Sequence, residues 1–220
     1  MPAPLLLGHR GTRSDKSVRE NTLAAFDLAL EQGCDGFEFD VRLSAAGQAV
    51  ICHDEKARGV EIARSRADLG SELGLPLLQQ VLTRYQASDF LDIELKVVGQ
   101  EGITLDWLKA HPPARGYVVS SFLPAVLENI YDKDAAVPLG LICETSRQMA
   151  RWTELPVQYV IPHYRLVREK SLIEMQKAGK KVFVWTVNSA SRIKQFAAWG
   201  VDGIISDHPE RLAALREIQS

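Results

Sequence analysis

A chain of 220 residues that is 46% hydrophobic and 25% charged has the make-up of a globular protein, long enough to bury one substantial core. Its formal charge of −2 leaves no basic footprint for nucleic acid, so any anion must be met locally, by a few basic residues or a metal. No stretch approaches the roughly 18 apolar residues of a membrane span, and the apolar run near the start is shorter than the roughly 7–15 residues of a signal sequence. Cys34, Cys52 and Cys143 are odd in number and lack C-x-x-C spacing, which points to reduced thiols in a cytoplasmic protein without disulfides.

The first element, "PLLLGH", reads as a strand that stops on His9 and Arg10, framed by Gly8 and Gly11. "ENTLAAFDLALEQG" follows with helical spacing of Leu23, Ala24, Phe26, Leu28, Ala29 and Leu30, and Gly33 as its stop. "GFEFDVRL" and "QAVICH" form a hairpin pair joined through "SAAGQ". Strand-like runs then recur as "FLDIELKV", "GYVVSS", "PLGLIC" and "QYVIPHY". The helical "SLIEMQKAGK" precedes the strand "KVFVWTVN", and "SRIKQFAAWG" precedes "GIISD". "HPERLAALREI" closes the series, with Pro209 suited to a first helical turn. Strands alternating with helices predict parallel βαβ units, about eight of them. That count predicts a (β/α)8 TIM barrel, a single domain over 1–220 with a small hairpin extension and no large insertion. A doubly wound open sheet is the alternative.

Strand alternation sorts the charges. Glu38, Asp40 and Arg42 share one face of "GFEFDVRL", while Phe37, Phe39, Val41 and Leu43 share the other. "FLDIELKV" repeats the pattern with Asp92, Glu94 and Lys96 opposite Ile93, Leu95 and Val97. In a barrel the apolar set packs outward under helices, so the charged set points inward and needs a cation. Carboxylate oxygens suit Mg²⁺ or Ca²⁺, with Glu38, Asp40 and Glu94 as ligands and Asp92, deeper in its strand, ranked below them. No Cys/His cluster has zinc spacing. His9 and His53 end apolar runs whose strand ends converge on one mouth, which suits general acid–base work. Arg10 and Lys96 supply positive charge for an anion, and Gly8 and Gly11 read as backbone freedom beside a ligand. The combination describes phosphoester cleavage better than hydride or acyl transfer.

"GHRG" followed by "ENTLAAFDLALEQGCDGFEFDVRLSAAGQAVICHD", with "DIELK", "VVSSF", "VWTVN" and "GVDGIISDHP", closely resembles the glycerophosphodiester phosphodiesterase family over nearly the whole chain. The resemblance implies a metal-dependent barrel enzyme that cleaves a small-molecule glycerophosphodiester to sn-glycerol 3-phosphate and an alcohol. It implies His9 and His53 as catalytic acid/base residues and Glu38, Asp40 and Glu94 as metal ligands. It also implies Arg10 and Lys96 at the phosphate and Trp185 lining the pocket. The family's mechanism implies attack by the glycerol 2-hydroxyl to give a cyclic phosphate that water opens. "HDEKARGVEIARSRADLG" departs from the family's usual continuation after its "HD", on the substrate side. A lyase that stops at the cyclic phosphate and a catalytically silent phosphodiester-binding barrel are the competing readings.

Other residues have local expectations. His163 follows a strand within reach of the mouth; His208 starts the final helix with Asp207 as its cap; His111 sits in a loop. Cys52 alternates away from His53 as a packed thiol. Asn21 caps the first helix and Glu20 orients Arg10. Trp107, Trp152 and Trp199 pack in helical segments, and Asp15, Lys16 and Arg19 form a loop that covers substrate.

Overall fold

The computed structural model describes residues 3–219, so the first two positions and the last of the expected 1–220 span lie outside the described residues. The strands begin with β1 (Leu5–His9), β2 (Gly36–Leu43), β3 (Ala49–Ile51), β4 (Lys56–Ala57), β5 (Val60–Glu61) and β6 (Phe90–Leu95). They continue with β7 (Tyr117–Ser121), β8 (Leu139–Cys143), β9 (Tyr159–Pro162), β10 (Lys181–Val184) and β11 (Gly203–Ser206). β1 bonds in parallel to both β2 and β11, and β6 to β10 fill the ring between them. Eight parallel strands therefore close on themselves as a (β/α)8 barrel, which excludes the open sheet.

The helices are α1 (Leu23–Glu31), α2 (Leu69–Leu73), α3 (Leu78–Tyr85), α4 (Glu101–Ala110), α5 (Pro124–Lys133) and α6 (Ser146–Ala150). α7 (Glu169–Lys177), α8 (Ala190–Trp199) and α9 (Pro209–Gln219) complete the outer layer. Among the described residues, no helix is long and apolar enough to cross a membrane. Phe37, Phe39 and Val41 of β2 are fully buried outside the barrel. There Phe26 of α1 stacks on Phe37 at 4.2 Å, and Tyr85 of α3 meets Phe37 edge-on at 4.8 Å. Trp107, Trp152 and Trp199 pack against this outer core as expected, although Trp152 lies in a 3₁₀ turn after α6.

The barrel interior is divided by height. Leu7, Phe90, Val118, Tyr159 and Phe183 belong to an apolar cluster inside the ring. Gly203 faces Phe183 across paired strands, and a Cβ there would lie 2.5 Å from the ring, so only glycine lets that aromatic fill the interior. The charged residues lie above, toward the strand C-termini. Gly11 has φ +80°, the backbone freedom expected of it, and packing also demands glycine at both positions 8 and 11. A Cβ on Gly8 would stand 2.0 Å from the Gly11 carbonyl oxygen, and one on Gly11 2.5 Å from the backbone of Ala25.

Two strands of the expected hairpin pair antiparallel, with Val41 opposite Ile51 and Leu43 opposite Ala49. β3 stops at Ile51, so His53 stands beyond its end instead of within the expected "QAVICH" strand. A second hairpin, β4–β5, was not marked by the sequence. It covers a small core of Val50, Ile62, Leu69 and Leu75, against which Cys52 packs as a structural thiol.

Candidate active site

Register brings the charged residues together. His9 pairs with Glu38 across β1–β2, Glu38 with Asp92 and Asp40 with Glu94 across β2–β6. None of Glu38, Asp40, Asp92 and Glu94 is more than 7% exposed. Glu38, Asp40 and Glu94 each offer an oxygen within 4.8 Å of the others. Asp92 stands apart from that triad and accepts from the Ser120 hydroxyl.

Two cations answer these four acids. Lys96 Nζ lies 2.6 Å from Glu94 Oε1 and 3.2 Å from Asp40 Oδ1. Arg10 Nε lies 3.1 Å from Asp40 Oδ2, and its backbone N–H donates to Glu38 Oε2 at 3.0 Å. Glu20 accepts from Arg10 Nη1 at 2.6 Å and also from Arg13, fixing the guanidinium as expected. Burial alone would raise the Asp40 pKa, but Lys96, Arg10 and a hydrogen bond from Asn21 together hold it below the ordinary range. Its neighbours move the other way. Burial, then the charges of Asp40 and Glu94, push Glu38 well above the usual carboxylate value. Glu94 rises to about 7 through burial and Asp40, against Lys96. Asp92 rises to about 7 chiefly through burial.

The surplus of acid leaves Glu38 Oε1, Asp40 Oδ1 and Asp92 Oδ2 buried without a hydrogen-bond partner. Lys96 is close to Asp40 Oδ1 but lacks hydrogen-bond geometry toward it. Each such orphan costs about 1–3 kcal/mol, and more when charged. The all-oxygen set of Glu38, Asp40 and Glu94 fits a hard divalent cation, which would satisfy the orphaned Glu38 and Asp40 oxygens and offset the triad's mutual repulsion.

Asn21 departs from its expected role. Thr22 caps α1, its hydroxyl accepting from the Ala25 N–H at 3.3 Å. Asn21 adopts φ +56° and turns inward, where its Nδ2 donates to Asp40 Oδ2 at 2.8 Å and its Oδ1 accepts from the Asp40 N–H at 3.3 Å. Asp207, expected as the final helix cap, is also used elsewhere. His9 Nδ1 donates to Asp207 Oδ1 at 2.7 Å. Asn188 Nδ2 donates to the other oxygen at 2.7 Å, and Arg13 Nη1 stands 3.3 Å from the first. This bond puts the His9 proton on Nδ1 and leaves Nε2 3.8 Å from Glu38 Oε2. Burial, helped by the charge of Arg10, lowers the His9 pKa although Asp207 opposes it. Burial works to raise Asp207, but His9, Asn188 and Arg13 hold it far below the ordinary range.

The side chains line a cavity of about 280 Å³. One wall carries His9, Arg10, Glu38, His53, Glu94 and Lys96; Phe122, Ile142, Ile161 and Trp185 form an apolar wall. Trp185 is held by a 2.9 Å bond from Nε1 to the Ile161 carbonyl and by an edge contact with Phe122 at 5.6 Å. Half-buried His53 pairs through Nδ1 with Asp54 at 2.8 Å. Phe122 and Glu144 also line the cavity and were not found from sequence. His163 is absent from the lining and packs edge-on behind Trp185 at 5.5 Å. Asp15, Lys16 and Arg19 are also absent from this lining.

Comparison with known proteins agrees with this architecture. The model of the glycerophosphoryl diester phosphodiesterase family matches residues 9–69 and 72–211. A glycerophosphodiester phosphodiesterase of Caldanaerobacter subterraneus subsp. tengcongensis is 30% identical over 96% of this chain and 97% of its own length. The crystal structure of a glycerophosphodiester phosphodiesterase from Thermotoga maritima superposes with a TM-score of 0.83 at 26% identity, covering 98% of this chain and 100% of that one. An Oleispira antarctica phosphodiesterase in complex with its product, sn-glycerol 3-phosphate, superposes at 0.82 with 27% identity, covering 99% of this chain and 98% of the other. With the family model spanning nearly all of the described barrel, the chain belongs to the glycerophosphoryl diester phosphodiesterase family.

Proposed function

We propose that this protein hydrolyses glycerophosphodiesters to sn-glycerol 3-phosphate and an alcohol, using His9 and His53 for proton transfer and a divalent cation, Mg²⁺ or Ca²⁺. The observation that carries the reading is the carboxylate triad of Glu38, Asp40 and Glu94 beside two histidines that line one cavity. These three acids would hold the cation. When bound, it supplies Lewis-acid stabilisation of charge on the phosphoryl oxygens.

The chain's own groups account for the remaining steps. Arg10 and Lys96 bind the anionic phosphoryl oxygens, while Trp185 and Phe122 pack the glycerol carbons. His9, with Nε2 free and its pKa lowered by burial, takes the proton of the glycerol 2-hydroxyl as that oxygen bonds to phosphorus. His53 delivers a proton to the alcohol oxygen as its bond to phosphorus breaks. In the second half His53 removes a proton from water as it adds to the cyclic phosphate, and His9 returns its proton to the departing 2-oxygen. Asp207 acts through His9 and is a positioning residue. The three cysteines, all free, fit a reducing cytoplasmic setting.

The deciding experiment is release of glycerol 3-phosphate from glycerophosphocholine, glycerophosphoethanolamine and glycerophosphoglycerol. Chelator-stripped protein is assayed alone, with Mg²⁺ and with Ca²⁺. Restoration by a cation is expected, and silence across the panel in folded protein overturns the reading. Phosphorus NMR that shows persistent cyclic phosphate and no phosphomonoester replaces the hydrolase with a lyase.

A further inference from the structure

A second cavity, of about 170 Å³, opens on the far side of His53 and shares that residue with the first. It is walled by the loop before α1, the end of β3 and the β4–β5 hairpin, with Ile51, Leu73 and Leu75 among its lining residues. Arg19, Lys56 and Arg58 stand at its rim. All three are exposed, and none of their side chains forms an ion pair or hydrogen bond among the described residues. Of the two acids that line it, Glu20 is engaged with Arg10 and Arg13, and Asp54 with His53. The cavity therefore carries surplus positive charge in a chain whose overall charge is −2.

Arg58 has a second peculiarity. With Gly59 it forms the two-residue turn between β4 and β5, and both take positive φ, 49° and 82°. Such turns favour asparagine or aspartate before the glycine, because a larger side chain at positive φ is strained. Arginine is a costly choice for the turn, and it puts a guanidinium at the cavity rim.

We propose that this second cavity receives the departing alcohol and that Arg19, Lys56 and Arg58 make it favour alcohols bearing an anionic group. The inference rests on the phosphodiesterase reading. With the glycerol on the apolar wall beside Trp185 and the phosphate at Arg10 and Lys96, the alcohol oxygen lies toward His53, its proton donor. An alcohol leaving past His53 enters the second cavity, where the three free cations attract a phosphate or carboxylate and repel a quaternary ammonium.

The test compares kcat/KM for release of glycerol 3-phosphate from three diesters. Glycerophosphocholine has a cationic alcohol and glycerophosphoglycerol a neutral one. In 1,3-bis(glycerophospho)glycerol, counted per equivalent end, the alcohol carries a further phosphodiester anion. The wild type is expected to favour the anionic substrate over glycerophosphocholine about tenfold, the sum of three partly screened charges. The R19Q/K56Q/R58N variant, whose asparagine suits the turn, should bring that ratio near one and leave glycerophosphoglycerol unchanged. A wild-type ratio at or below one, or a ratio unmoved in the variant, overturns the subsite while the hydrolase reading stands. No release from any of the three overturns both.

Discussion

Asp207 Oδ1 accepts from His9 Nδ1 at 2.7 Å, joining residues 198 positions apart at the seam where β11 meets β1. The contact fixes both the imidazole's orientation and the nitrogen that carries its proton. Asp207→Ala should therefore lower kcat about 10²–10³-fold with little change in KM. Because Asp207 works to raise the His9 pKa, its loss should also move the acidic limb of the pH–rate profile to lower pH. A proportional loss of activity with an unmoved profile would mean that Asp207 only stabilises the fold.

His9→Ala and His53→Ala should each cost on the order of 10²–10⁴ in turnover if both transfer protons. Steady-state kinetics on folded variants check this. A near-wild-type rate in either one removes that histidine from the mechanism.

The raised acids contribute a pH dependence of stability opposite to that of ordinary acid denaturation. Glu94 is raised from 4.5, and Asp92 from 3.8, to about 7. Between those limits the folded chain retains protons that the unfolded chain has lost, so these groups reduce stability as pH rises. Chelated protein should thus gain more from a cation at pH 7.5 than at pH 5. The expected Tm rise at the higher pH is roughly 5–11 °C for a hundredfold excess over Kd. A gain equal at both values, measured by thermal unfolding, would contradict the account.

Glu38→Gln removes one charge from the triad and should shift the cation titration of activity to higher concentration as well as lower the rate. An unchanged titration would exclude Glu38 from the ligand set.

Gly203→Ala tests the barrel interior independently of the site. Its added methyl would meet the Phe183 ring, and overpacking of this kind costs about 1–3 kcal/mol. Chemical denaturation should show that loss, with the cation requirement unaltered. A neutral effect would mean that Phe183 has room to move.

Much of this was legible because a strand has only two faces. Alternation in "GFEFDVRL" and "FLDIELKV" put Glu38, Asp40, Asp92 and Glu94 inside once the barrel was inferred, and the strand ends located His9. The misreadings came where a local rule offered a complete explanation. Asn21 and Asp207 both precede helices, so capping accounted for them; nothing local revealed Asp40 or His9 as their partners. For Asp207 one signal existed, since it continues the inward alternation of Ile205 by two residues. The β4–β5 hairpin has strands of two residues each and a turn without asparagine, too little pattern to read. Phe122 and Glu144 just follow strands, and only the barrel's closure aims such positions at one mouth.

The seam between β1 and β11 has a consequence for biosynthesis. His9 is translated 198 positions before Asp207, an interval of roughly 10–40 s at ordinary elongation rates. Until then a nascent chain holds the acids of β2 and β6 without the carboxylate that orients His9. Asp207 lies just past β11, so a chain truncated before it lacks the contact that orients the His9 ring even where its earlier strands have paired.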